Sequence, residues 1–232
     1  MSNRTAIITG ASRGLGRALA RELATHGWTL VIDARGADEL ERAADELSAL
    51  TDVTAIPGDV ADDWHQGALA DAGGRSVELL VNNASRLGPS PQPELAAYPL
   101  AELQRVYAVN VLAPLALTQL VLPHMPVGAT IINVTSDAAV EPYQGWGGYG
   151  SSKAALEQWT AILGAEQPQL RVYAVDPGDM RTRMQQQAFP GQDISDRPPP
   201  QASVPGLLEL ILGERPSGRY LARELIVAGS TA

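Results

Sequence analysis

The chain has 232 residues, 45% of them hydrophobic and 19% charged, which suits one folded domain with a large core and argues against disorder. A net charge of −9 and a pI near 4.8 leave no basic field to hold a phosphate backbone, so nucleic acid is not expected as a partner. The absence of cysteine removes disulfides and Cys-based metal sites, and His26, His65 and His124 stand too far apart for ligand spacing.

Each of those histidines reads as a surface or helix-end residue, so no metal is expected. The chain enters a strand pattern almost at once, which leaves no room for a signal peptide. The most apolar stretch, LAPLALTQLVLPHM, carries Pro114 and Pro123, which are expected to interrupt it short of the ~18 residues of a membrane helix. A cytoplasmic chain with no membrane partner is the resulting expectation.

Seven short apolar runs follow in order: TAIIT (5–9), TLVID (29–33), VTAI (53–56), VELLVNN (77–83), ATIINVTS (129–136), RVYAVD (171–176) and ELIVAG (224–229). Strands apolar on both faces belong to parallel sheets covered on two sides. Between the first two, Leu15, Ala18, Leu19, Glu22 and Leu23 keep helical spacing, as do Leu40, Ala43, Ala44, Leu47 and Leu50 between the next two. Strand and helix in alternation imply an α/β fold, a doubly wound seven-stranded parallel sheet with helices on both faces, in one domain over residues 1–232. The proline-rich segment 85–100 reads as a loop after the fourth strand. A second polar, proline-rich segment, about 183–205, precedes a short last helix, GLLELIL, and reads as a substrate lid.

In such sheets ligands bind at the carboxyl ends of the strands, so the residues after each run matter most. Strand one is followed by TGASRGLGRALA, with Gly10, Gly14 and Gly16 flanking Ser12, Arg13 and Leu15. Glycines there permit a tight turn, a close approach of backbone to a pyrophosphate, and close seating of the following helix, whose N-terminus offers N–H groups to an anion. The plainer reading is a simple turn. Later in the chain YGSSK places Tyr149 and Lys153 four apart, on one helical face. An ammonium beside a phenol favours tyrosinate, so Lys153 is expected to bring Tyr149 down from its ordinary value near ~10 towards the working range.

The glycine loop, T-G-x-x-x-G-x-G over Thr9 to Gly16, and the Y-x-x-x-K of Tyr149 to Lys153 resemble the short-chain dehydrogenase/reductase family. The resemblance extends over about residues 5 to 229 and carries several roles with it. Ser136, thirteen residues before Tyr149, matches the family's catalytic serine, and Asn110 in VYAVNVLAP matches its fourth catalytic member, expected to position a water that connects Lys153 to solvent. Alone, Asn110 would read as a polar residue kinking its helix, with Pro114 at i+4. Tyr149 would be the proton donor, Ser136 the donor that holds the substrate oxygen, and Lys153 a partner of the nicotinamide ribose.

Cofactor contacts are implied at Asp59 and Val60 of GDV, at Asn83 and Ala84 of NNAS, where Ser85 replaces the usual glycine, and at Pro177, Gly178 and Thr182 of VDPGDMRT. In LVIDARG the family's NAD-selecting acid would fall at Ala34, with Arg35 after it and Arg13 in the glycine loop. Two guanidiniums favour a 2′-phosphate, so NADP(H) is expected over NAD(H); Asp33 would reverse that if the register slipped by one residue. The resemblance implies a small-molecule carbonyl or secondary alcohol as substrate. Arg86, Ala138, Val140, Tyr143, Trp146, Met180 and Met184 are candidates to contact it. A homodimer or homotetramer through the helices at 100–123 and 150–166 is also implied. A dinucleotide-binding sensor without turnover is the alternative. A sugar-nucleotide epimerase, with the same Tyr–Lys pair, would need a larger C-terminal domain.

Overall fold

The computed structural model describes residues 4–225. Its chain order is β1 (Thr5–Ile8), α1 (Gly14–Thr25), β2 (Thr29–Ala34), α2 (Ala37–Ser48), β3 (Val53–Pro57), α3 (Asp63–Gly73) and β4 (Leu79–Asn82). It continues through α4 (Leu100–Tyr107), α5 (Ala113–Val121), β5 (Thr130–Val134), α6 (Gly147–Glu166), β6 (Arg171–Asp176), α7 (Arg183–Ala188), α8 (Val204–Leu212), β7 (Gly218–Leu221) and α9 (Ala222–Leu225). All seven strands are parallel, in the order β3-β2-β1-β4-β5-β6-β7. The order reverses direction between β1 and β4, and the crevice at such a switch point is where this topology places ligands.

The period-2 alternation of the strands builds two apolar layers. Ala6, Ile8, Leu30 and Ile32 face one way, against Leu15, Leu19 and Leu23 of α1, Leu40 and Leu47 of α2, and Leu207 and Leu210 of α8. Ile7, Val31, Leu80 and Ile131 face the other, against Leu69 of α3 and Leu117 and Val121 of α5. Each such buried Leu, Ile or Val side chain contributes roughly 1.5–3 kcal/mol by burial. The α3 N-terminus is fixed by Asp62, which accepts from the His65 amide at 2.9 Å.

Six of the expected strands form where the apolar runs lie, and the seventh strand of the described residues lies earlier in the chain than expected. β7 is built from GRYL, while Glu224 and Leu225 of the ELIVAG run belong to α9 and the rest of that run, like the VAGSTA terminus, lies outside the described residues. The reason is local to the edge. Tyr220 packs edge-on to Tyr173 at 5.6 Å, and Arg219 pairs with Glu157 at 2.9 Å and Asp176 at 3.3 Å.

The two prolines also fail to interrupt the apolar stretch. Residues Leu100–His124 follow one helical path of 25 residues that is long and apolar enough to cross a membrane by length and composition. Pro114 is tolerated in the first turn of α5, where its missing N–H costs little. Val106, Leu117 and Val121 on this path are fully buried in the protein. A π-helical turn, Ala108–Leu112, joins α4 to α5 and centres on Asn110, the position at which a kink was expected.

Candidate active site

The carboxyl ends of β1, β4, β5 and β6 open into one cavity of about 550 Å³. Its lining includes every cofactor and catalytic candidate named above except Gly16 and Asn110, which support it from behind.

The glycine loop forms one wall. Gly10 (φ 67°) and Gly14 (φ 58°) both occupy the left-handed region that favours glycine. A Cβ on Gly16 would meet Gly10 O and Asn83 Nδ2 at 2.6 Å, so α1 could not seat against the loop with any side chain there. Asn83 braces the same loop, its Nδ2 donating to Thr9 O (2.8 Å) and Gly10 O (3.1 Å), while Thr9 Oγ1 accepts from the Asn83 and Ala84 amides at 3.0 Å. A backbone cradle shaped this way, at the start of a twelve-residue helix, fits a pyrophosphate. Beyond it, Ala34, Arg35, Asp59 and Val60 line the far end, where an adenosine would lie. Arg35 is exposed and makes no ion pair among the described residues, whereas Arg13 pairs with Glu39 at 2.9 Å.

Asp33 does not face that end as a free acid. Strand register pairs Ile8 with Ile32 and Asp33 with Ile56, and alternation turns Asp33 to the α3 face and Ala34 to the α2 face. The carboxylate is 1% exposed; Oδ1 accepts from the Gly10 amide at 2.6 Å, and Oδ2 lies 3.0 Å from His65 Nε2. Of the two readings offered for His65, surface or helix end, the second holds: the ring stands in the first turn of α3 and is 3% exposed. The signal that could have found it is Gly58: a Cβ there would stand 2.2 Å from His65 Nδ1, so the glycine ending β3 makes room for the ring.

At the opposite end, three glycines let α6 begin tight against its surroundings. A Cβ on Gly148 would collide with the Tyr98 ring at 2.3 Å, and one on Gly150 with Ala138 O at 2.5 Å. The second approach locks the first turn of α6 to the turn that follows Ser136, and so brings Tyr149 and Ser136 into the same cavity. Ser136 Oγ donates to Asp137 Oδ1 at 2.9 Å and accepts from the Ala138 amide at 3.2 Å. Lys153 Nζ lies 5.5 Å from the Tyr149 ring centroid and donates to Val134 O at 2.7 Å.

The expected direction of the tyrosine shift is not the one found. Burial pushes the Tyr149 phenol well above its ordinary value; hydrogen bonds to Ser85 and Ser136 pull it back in part, and the charges of Asp176 and Asp137 add to the rise. Burial likewise pushes Lys153 down, to about 7, with Glu157 opposing. Desolvation is the largest cause of both shifts.

The Asn110 carboxamide is engaged throughout by protein groups. Its Oδ1 accepts from the Arg86 amide (2.8 Å) and Ser85 Oγ (3.1 Å), and its Nδ2 donates to Arg86 O and Ser152 Oγ (both 2.9 Å). All four sites of the carboxamide are used, and the side chain clamps the loop after β4 to α6. The network of Thr135, Glu157, Arg219 and Asp176 beneath Ser136 was not foreseen: Thr135 Oγ1 donates to Glu157 at 2.7 Å, and Arg219 joins Glu157 to Asp176. Asp176 Oδ1 in turn accepts from the Gly178 amide at 2.8 Å, while Ser203 Oγ donates to Pro177 O at 2.7 Å, fixing the turn after β6. Thr182 caps α7, accepting from the Gln185 amide at 3.2 Å.

A family model described as short chain dehydrogenase matches residues 4–193. The chain belongs to the short-chain dehydrogenase family. It is therefore an oxidoreductase of that family, with the Rossmann-like sheet its members share. Sepiapterin reductase of Meriones unguiculatus is 34% identical over 199 residues, covering 78% of this chain and 76% of that one. Serine 3-dehydrogenase of Agrobacterium fabrum is 35% identical over 185 residues, covering 77% and 72%. Among solved structures, a short chain dehydrogenase from Shigella flexneri complexed with NADP superposes with a TM-score of 0.86 at 26% identity, covering 96% of this chain and 98% of its own.

Of the substrate candidates, Arg86, Trp146, Met180 and Met184 line the cavity, and Ala138, Val140 and Tyr143 do not. The Tyr143 hydroxyl is turned to Asp137 Oδ2 at 3.0 Å, and its ring stacks edge-on to Trp146 at 6.3 Å. Trp146 sits 5.9 Å from both Tyr149 and Phe189, which makes it the hinge of an aromatic wall.

Proposed function

We propose that the protein is an NADP(H)-dependent carbonyl reductase or alcohol dehydrogenase, with Tyr149 as general acid and base. The observation that carries this reading is the confluence of Ser136, Tyr149 and Lys153 in the same cavity as the glycine loop. A reduced nicotinamide supplies the hydride. As hydride adds to the carbonyl carbon, the oxygen gains negative charge; Ser136 Oγ turns from Asp137 to donate to it, and Tyr149 delivers its proton, leaving the alcohol. A phenol raised by burial is fully protonated at neutral pH, and an alkoxide is a far stronger base than a phenolate, so the site is set for reduction. Oxidation runs the same steps backwards.

The NADP(H) assignment is supported by Arg35 and Arg13 at the adenosine end and by the burial of Asp33. In this reading Lys153 bonds the nicotinamide ribose, and Asp59, Val60, Asn83, Ala84, Pro177, Gly178 and Thr182 hold the rest of the cofactor; all of them line the cavity. Asn110 acts by fixing the loop at Arg86, and any water it orders would be held by its backbone. Of the segment read as a lid, about 183–205, residues 183–199 serve as one: Arg183, Met184, Gln185 and Ala188 line the cavity, whereas Ser203 and Val204 at its end are buried in the body of the fold. Trp146, Met180 and Met184 favour a flat, largely apolar carbonyl compound. Exposed Leu112, Leu120 and Ile162 on α5, its preceding turn and α6 form the face for a homodimer or homotetramer.

The test is a panel of aldehydes, ketones and quinones assayed for NADPH and NADH consumption at 340 nm. Turnover with at least one carbonyl class, faster with NADPH, is expected; no turnover with any class, or turnover with NADH alone, refutes the assignment.

A further inference from the structure

The end of β2 carries a carboxylate beside the adenosine end of the cavity, which is the wrong charge for a 2′-phosphate. Asp33 nevertheless has both oxygens engaged. Oδ1 takes the Gly10 amide of the glycine loop at 2.6 Å, and Oδ2 takes His65 Nε2 at 3.0 Å. With Nε2 donating, His65 Nδ1 is left buried and with no hydrogen-bond partner among the described residues. A buried ring nitrogen without a partner costs about 1–3 kcal/mol, so the ring is held here by its one bond to Asp33 and by packing. Gly58 is what admits it, since any Cβ there would overlap the imidazole. The Asp62 cap at 2.9 Å sets His65 in the first turn of α3, aimed back at the strand end.

We propose that His65 is a specificity-determining residue for the cofactor: strand alternation aims Asp33 towards α3, and the bond from His65 to Oδ2 holds the carboxylate there, so that it neither accepts a ribose 2′-hydroxyl nor turns to a 2′-phosphate. This rests on the NADP(H) reading above. Asp33 and His65 then work as a unit in which the carboxylate shapes the glycine loop through Gly10, and the imidazole keeps that carboxylate from being read by the cofactor. His65 touches no reacting atom; it acts through Asp33.

Equilibrium titration of protein fluorescence with NADPH, NADH, 2′-phospho-ADP-ribose and ADP-ribose tests this without turnover. In H65L, which removes the donor, the preference for the 2′-phosphorylated ligand of each pair falls by about tenfold or more, chiefly through weaker binding of that ligand. H65Q, whose amide can still donate to Asp33, keeps the preference, and D33N/H65L recovers it because the charge is gone. D33N alone does not lower it. An H65L protein with unchanged melting and unchanged preference overturns the proposal, as does a D33N/H65L protein no better than H65L. If H65L does not fold, a D33N protein that loses the preference overturns it. NADH binding as tightly as NADPH in the unsubstituted protein refutes the cofactor reading instead.

Discussion

The Lys153 amine is fully buried with one oxygen partner among the described residues, Val134 O, and burial takes it down to about 7 from an ordinary 10.5. Between those two values the unfolded chain binds a proton that the folded protein does not, so stability must rise with pH across this window. Below pH 7 both states are protonated and the cost of the buried charge is present in full. Above the unfolded value the cost is gone. The gap corresponds to ~5 kcal/mol, with a slope of at most ~1.4 kcal/mol per pH unit, and rearrangement around the charged amine lowers both. Tyr149 acts with the opposite sign: its phenol is raised in the fold, so its contribution is lost only above about pH 10, where the unfolded phenol ionises. The perturbation is Lys153→Met, and the assay is the urea midpoint of cofactor-free protein from pH 6 to 9.5. The wild-type midpoint rises above pH 7, and the Met variant is flatter and more stable at pH 6 to 7. A wild-type midpoint that stays level, or a Met variant that rises in parallel, refutes the burial argument.

Two other outcomes follow from the same geometry. Arg35→Ala weakens NADPH binding by about tenfold while leaving NADH within about twofold, and Arg13→Ala does so less because Glu39 already engages that guanidinium; equal losses for both cofactors in calorimetry would contradict a phosphate-reading role. In light scattering at micromolar concentration the protein runs as a dimer or tetramer, and Leu120→Glu together with Ile162→Glu shifts it towards the monomer; a monomeric wild type refutes the α5–α6 interface.

The glycine loop, the first six strands and the Tyr149–Lys153 pair were legible because each is specified locally, by apolar period, glycine spacing or helical offset. The seventh strand was not, since GRYL is less apolar than ELIVAG and is selected by partners far away in sequence, Tyr173 and Asp176. His65 was legible as a helix-end residue, but its bond to Asp33, 32 residues away in sequence, was not. The Asp33 register was open in the sequence and is decided by strand pairing. The protonation of Tyr149 depends on how deeply the phenol is buried, which a four-residue spacing does not encode.

The measurement that bears most directly on the proposed role of Tyr149 is Tyr149→Phe, assayed in parallel for turnover and for NADPH affinity. Loss of the phenolic proton lowers kcat by about 10²–10⁴-fold while NADPH binding stays within about threefold. A Phe variant that keeps more than about a tenth of the wild-type rate would contradict proton delivery by this hydroxyl.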